Sequence, residues 1–466
     1  MSPPLFAAGT VRMRIAAYAI IFRPLQLYLE RILLLARTKL YYDNFLNTPR
    51  RVIIDSIAIT CPVKLDKWMM RPILAVMIWA GFLISLASIL IISRINLALA
   101  LISGAIILGF FTLSPATVLD RIVFTGSDPS ILMLALAVGI IPVIGGTMKT
   151  SGQIDALVDN LRLPRKYLLA LSPALMGLLP IPGGALLSAP ILEKAGADVP
   201  GDILAAINNW FRHTLIMVYP LSAALIVSTQ IADLDIYRAI LHLLPGFGVA
   251  LALGYVAYLR HIDGRLVYHN RFSMRRLLVP LVVILSAPVL DFVLKRTLAI
   301  DSLATLCGVS TALLLSLLLS RIKINLKEVI LGARPWNFSF IIIGMFLYLH
   351  IFQASDIRHQ IAAIPLPPLL LAVSAGFLLG LFTGRVQLPA SIILPVYLAT
   401  APAMTPPYFA IIYIAIFFGF VVSPVHPCLV VTGEYFKVPL KDIVTRLSYP
   451  AAVIVAAVLI LSVLLV

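Results

Sequence analysis

Long apolar runs constrain this sequence more than any other feature. Ile73–Ile92 and Leu277–Leu294 are two examples, and about 20 apolar residues are enough for a helix to cross a bilayer. The 466-residue chain is 61% hydrophobic and only 12% charged, whereas soluble domains are about half apolar and about a quarter charged. A water-soluble fold would have too little polar surface to cover itself. The sequence therefore predicts an all-α, multi-pass protein of the cell membrane.

The apolar runs form two series with the same order of elements. Each series has three spans, one segment interrupted by proline and glycine, and two more spans. The spans are predicted at 73–92, 95–113, 130–148, 203–229 and 237–259, and then at 277–295, 302–319, 329–350, 407–432 and 444–466. We expect two transmembrane repeats, 73–259 and 277–466, with interrupted hairpins at 167–193 and 366–400 and a basic linker at 260–276.

The basic residues between the spans predict how the chain is oriented. Loops rich in Lys and Arg usually face the cytoplasm, and Lys149–Lys166, Arg260–Arg276 and Arg321–Lys327 are such loops. Each half then makes an odd number of crossings, so the halves are expected to be inverted relative to each other. Inverted repeats with broken helices are typical of secondary transporters. The net charge of +16 comes without any nucleic-acid recognition module, so no nucleic-acid partner is expected.

Residues 1–72 are basic but contain no clean span. Ile15–Ala36 is interrupted by Arg23, Pro24 and Glu30. This extension is either an amphipathic helix at the membrane surface or lies before a natural start at Met69 or Met70.

The first interrupted segment contains Pro180–Gly184, which is incompatible with a continuous helix because proline lacks an N–H group and glycine tolerates positive φ. A short half-helix should begin near Ala185, with Ser188 in its first turns. The free N–H groups at such a start favour a carboxylate or phosphate. Gly183, Gly184 and Ser188 are therefore candidate binding residues, with a purely structural kink as the alternative.

A polar cluster follows early in the next apolar span. Asn208 and Arg212 share one helix face, as do Asn209 and His213. Charged side chains at membrane depth are costly and mark functional sites by default. The four residues are candidates for substrate binding. The alternative for Arg212 is that its guanidinium reaches the lipid headgroups.

The second interrupted segment supplies the matching candidates Thr383, Arg385, Gln387 and Ser391. Arg385 lies in a long apolar segment without an acidic residue nearby in the sequence. It is expected either to bind an anion or to pair with a distant carboxylate.

Two local patterns complete the second half. Gly376, Gly380 and Gly384 recur every four residues and should let another helix approach closely. His426 stands between Pro424 and Pro427, where the interrupted helix frees carbonyl groups. His426 could relay a proton, or it could be a packing histidine.

The candidate set is cationic, because it holds two arginines and two histidines and no carboxylate. The expected substrate is therefore a small anion. Cys61, Cys307 and Cys428 are far apart in the sequence and imply neither a disulfide framework nor a metal cluster.

Three stretches carry a family resemblance: Pro180–Pro190, Asn209–His213 and Ser423–Leu429. They resemble an archaeal integral-membrane family catalogued as domain of unknown function 401, within an ion transporter superfamily that includes dicarboxylate, citrate and gluconate carriers. The resemblance implies re-entrant hairpins in two inverted repeats, a homodimer and elevator-type alternating access. The Ser-Asn-Thr hairpin signature of the dicarboxylate carriers is absent, and Ser188 and Ser391 are its nearest counterparts.

The leading interpretation is a secondary transporter of a small anion that bears a carboxylate group, coupled to Na⁺ or to H⁺. No cofactor is expected apart from Na⁺ as a coupling ion. An enzyme is not expected, because the hydrolase and metalloprotease motifs and the phosphate-binding loop are missing. The alternative function is a non-transporting membrane component, either a receptor or an assembly subunit.

Overall fold

The computed structural model describes residues 67–178, 184–264, 271–298, 301–364, 366–401 and 403–465. Within these ranges the chain forms helices and no strands, as the sequence predicts. The N-terminal extension up to residue 66 and the candidate Gly183 lie outside the described residues, so what was predicted for them stays a prediction.

The first half contains helices α1 to α10. Their bounds are α1 Lys67–Ile92, α2 Leu97–Thr112, α3 Pro115–Ser127, α4 Pro129–Thr150, α5 Gln153–Asp159, α6 Arg165–Gly177, α7 Gly184–Ala195, α8 Gly201–Met217, α9 Ala223–Ile231 and α10 Ile236–Gly254, which continues as a π-helical turn, Tyr255–Leu259.

The second half contains helices α11 to α20, which follow the same order of long and short elements. Their bounds are α11 Met274–Leu298, α12 Asp301–Leu318, α13 Leu326–Ala333, α14 Pro335–Ala354, α15 Ile357–Ala362, α16 Pro368–Thr383, α17 Gln387–Thr400, α18 Pro406–Val421, α19 Pro427–Phe436 and α20 Leu440–Leu464.

Seven of the described helices are long and apolar enough to cross a membrane. These are α1, α4, α10 with its π-helical turn, α11, α12, α14 and α20. Four shorter apolar helices, α2, α16, α17 and α18, accompany them. Their length and composition support the predicted multi-pass membrane protein.

The span predicted at 203–229 is wrong as a single helix. Helix α8 ends at Met217 and α9 begins at Ala223. Pro220 lies between them and has no N–H group to continue the helical hydrogen-bond ladder. The span predicted at 407–432 is also divided, because α18 ends at Val421 and α19 begins at Pro427. The prolines on both sides of His426 predicted this interruption.

The span predicted at 329–350 is also divided. Helix α13 ends at Ala333, and Arg334 adopts a left-handed conformation with φ of 47° before Pro335 begins α14. A residue that precedes proline is disfavoured in the right-handed helical region, which explains why the helix stops here.

The two halves interlock. Helix α14 of the second half packs against α2 and α4 of the first, and α4 packs in turn against α12. In the second half, α16 packs along α18 through two of the predicted glycines, Gly376 and Gly380: a Cβ atom at Gly380 would collide with the backbone carbonyl of Ile416. This close approach confirms the structural role predicted for the glycine pattern.

Candidate functional site

A cavity of about 280 Å³ opens where four helices begin. Its lining includes the first residues of α7, α9, α17 and α19, namely Gly184, Ala223, Gln387 and Pro427. The first two helices belong to the first half of the chain and the other two to the second half. The N–H groups of a helix's first turn carry partial positive charge, so four such starts favour an anion.

Five of the predicted site residues line this cavity: Gly184, Arg212, His213, Gln387 and His426. Apolar and aromatic side chains supply most of the remaining lining. The structure therefore brings together candidates that are more than 200 positions apart in the sequence, and both halves of the chain contribute to them.

Arg212 is the charged centre of the site. Its side chain is buried, with 4% of the residue exposed, so the alternative in which it reaches the headgroups is wrong. Nη1 donates to the carbonyl of Met176 at 3.3 Å, while Nη2 donates to the carbonyl of Gly184 and to Ser188 Oγ, the latter at 3.2 Å. Nε is buried without a partner.

All of these acceptors are neutral. No carboxylate within the described ranges forms an ion pair with Arg212. A buried charge that is not compensated is costly, and an anion in the cavity would supply the missing compensation.

Ser188 and Asn208 extend this polar arrangement away from the cavity. Ser188 Oγ donates to Asn208 Oδ1 at 2.6 Å, and Asn208 Nδ2 donates to the carbonyl of Ala185 at 3.0 Å and to Thr432 Oγ1 at 3.3 Å. The chain of hydrogen bonds from Arg212 to Thr432 thus connects α8, α7 and α19. Ser188 and Asn208 position the guanidinium but do not line the cavity.

The two histidines lie face to edge, with ring centroids 4.5 Å apart. His213 Nδ1 donates to the carbonyl of Asn209 at 2.6 Å. The side-chain nitrogen Nδ2 of Asn209 donates to the carbonyl of Ala205, and Asn209 does not line the cavity. His426 is buried, and its Nδ1 has no partner.

Three further candidates, all in the second half of the chain, do not line the cavity either. The hydroxyl of Thr383 donates to the carbonyl of Leu379, and the hydroxyl of Ser391 donates to that of Leu388. Arg385 is half-buried in the turn between α16 and α17 and forms no ion pair with a carboxylate in the described segments. The binding roles of these three residues stay predictions.

Sequence reasoning missed several residues of the site. Tyr219 and Ser222 line the cavity from the break between α8 and α9, and Cys428 lines it from the start of α19. Pro220 was the available signal, because a proline in the middle of an apolar span marks a possible helix break.

The comparisons with known proteins give a family for this chain. No curated protein matches its sequence. The model of one protein family, described as "Protein of unknown function (DUF401)", matches residues 76–466. This match covers all the helices that form the cavity. The chain therefore belongs to the DUF401 family of proteins of unknown function.

Proposed function

We propose that this protein is a secondary active transporter of a small anion, one that bears a carboxylate group, coupled to Na⁺ or to H⁺. The observation that carries the proposal is Arg212, a buried cation without a carboxylate partner among the described residues, which faces a cavity between the two halves. Membership of the ion transporter superfamily, a homodimeric state and elevator-type alternating access are parts of the same proposal.

The order of the helices supports an arrangement as two repeats, and their proposed inversion rests on the basic loops. Long and short helices follow one another in the same order in α1 to α10 and in α11 to α20. Both halves have a hairpin followed by a broken helix. The packing is also reciprocal, because each helix of the first half corresponds to the helix ten labels later. The contact between α2 and α14 has its counterpart in the contact between α12 and α4. The contact between α9 and α17 likewise has its counterpart in the contact between α19 and α7. Such reciprocity is what a pseudo-two-fold axis between the halves would produce.

The size and chemistry of the cavity support a small anionic substrate. Sites for drug-sized ligands measure roughly 300–1,000 Å³, so a cavity of about 280 Å³ suits a smaller molecule. Arginine presents a planar donor fork that matches a carboxylate. The first turns of α7, α9, α17 and α19 add partial positive charge at the cavity.

Purified protein should be tested for thermal stability against a panel of small carboxylates and phosphate, with and without Na⁺ and at several pH values. A ligand at a hundredfold excess over its Kd stabilises the folded state by about 2.7 kcal/mol. We expect one anion to raise the melting temperature of wild type and of Arg238→Gln, an exposed control, but not of Arg212→Gln. Uptake of that anion into proteoliposomes should then require a Na⁺ or proton gradient.

The competing function is a non-transporting receptor or assembly subunit. A stabilising anion without gradient-driven uptake would favour the receptor. If no anion raises the melting temperature of wild type, the anion site is contradicted. If an anion raises the melting temperature of Arg212→Gln as much as that of wild type, Arg212 is not part of the anion site.

A further inference from the structure

Three potential metal ligands converge on one wall of the cavity. They are His213 of α8, His426 just before α19, and Cys428 in the first turn of α19, and their ligand atoms all lie within 4.8 Å of one another. Ligands held about 2.0–2.3 Å from one tetrahedral zinc ion are separated by roughly 3.3–3.8 Å. Small side-chain movements would therefore bring the three atoms onto a single ion.

Each imidazole has a ring nitrogen that no hydrogen bond occupies. His213 donates its Nδ1 proton to the Asn209 carbonyl, which leaves Nε2 as a free lone pair. The Nδ1 atom of His426 is buried and has no partner in the described part of the chain. Histidines that bind metals almost always donate the other ring N–H to a carbonyl or carboxylate, which fixes the tautomer.

The donor set selects the class of metal. A thiolate with two imidazoles favours zinc and similar soft or borderline ions, whereas Na⁺, Mg²⁺ and Ca²⁺ prefer oxygen ligands. Three protein ligands on a cavity wall leave the fourth position open, as in zinc sites that exchange ligands.

We propose that His213, His426 and Cys428 bind one Zn²⁺ ion in the cavity, with its fourth coordination position open to the cavity. The site goes beyond the proposed transport function and does not rest on it, because metal binding is measured without any anion or gradient.

The test is titration of the purified, chelator-treated full-length chain with Zn²⁺, followed by Co²⁺ as a spectroscopic substitute. We expect one ion per chain and, with Co²⁺, a thiolate-to-metal charge-transfer band. The double variant Cys61→Ser/Cys307→Ser keeps Cys428 as its sole thiol and should retain both. This control leaves all three proposed ligands unchanged, so any charge-transfer band that it shows must come from Cys428.

Cys428→Ser and His426→Ala should each weaken Zn²⁺ binding by at least about 100-fold, since second-shell changes alone cost about 10–100-fold. Size-exclusion profiles establish that each variant is folded. Absence of stoichiometric Zn²⁺ binding by wild type overturns the proposal, as does loss of the charge-transfer band in the double variant. If wild type bound no Zn²⁺ but still bound or transported an anion, the metal site would be refuted and the proposed transport function would stand.

Discussion

Ser188 occupies the middle of the buried hydrogen-bond chain, since it accepts from Arg212 and donates to Asn208. The polar character of these residues at membrane depth could be predicted from their types and spacing. Their pairing could not, because Ser188 and Asn208 are 20 positions apart on different helices and meet only when α7 folds back onto α8. The same holds for His213 and His426, whose contact depends on how the two halves dock.

Replacing Ser188 by alanine should destabilise the protein by about 1–3 kcal/mol, the usual cost of leaving buried polar groups without partners. The substitution removes an acceptor from Arg212 and a donor from Asn208. Ser391→Ala is the matched control, because Ser391 is equally buried but bonds only to the Leu388 carbonyl of its own helix. Thermal unfolding in detergent measures both. Equal losses for the two variants would contradict the role given to Ser188.

At the scale of elements, helix interruptions determine where the cavity forms. The hairpin breaks could be predicted because prolines and glycines cluster there, whereas the break after α8 has a single proline within an otherwise apolar run. Hydropathy averages over such a residue, so it reported one span where the structure has two helices. The glycine pattern of α16 was more informative, because its four-residue spacing indicates a helix face directly.

Gly380→Ala should lower the stability of the folded state by about 1–3 kcal/mol, the typical cost of overpacking. The new Cβ would collide with backbone atoms of Ile416 and Phe420, and a helix backbone cannot move aside as a side chain can. Gly248→Ala in α10 is the control, since nothing lies within 4 Å of its added Cβ and alanine favours helix. The idea fails if Gly380→Ala unfolds at the same temperature as Gly248→Ala.

For the whole molecule, the sequence predicted two series of spans, and the structure adds how they interlock through α2, α4, α12 and α14. Hydropathy reports the order of segments along the chain but carries no information on which segments become neighbours. Opposite orientation of the halves remains a prediction based on the basic loops.

Inverted halves place equivalent short helices on opposite sides of the membrane. Asp155 on α5 and Arg358 on α15 are exposed and occupy such equivalent elements. In a background without native cysteines, Asp155→Cys should react with a membrane-impermeant thiol reagent only after cell lysis, whereas Arg358→Cys should react in intact cells. Labelling of both positions from the same side would show that the halves are not inverted.

Each break in α8–α9 and α18–α19 joins the carbonyl end of one helix to the N–H end of the next. Each break therefore places carbonyl groups, which accept hydrogen bonds, within a few residues of N–H groups, which donate them. Carbonyl groups favour a cation and N–H groups favour an anion, so the two breaks suit the anion and the coupling cation of the proposed transporter. If an anion and a cation cross together, each cycle moves only the difference between their charges, and the membrane voltage acts on that difference alone.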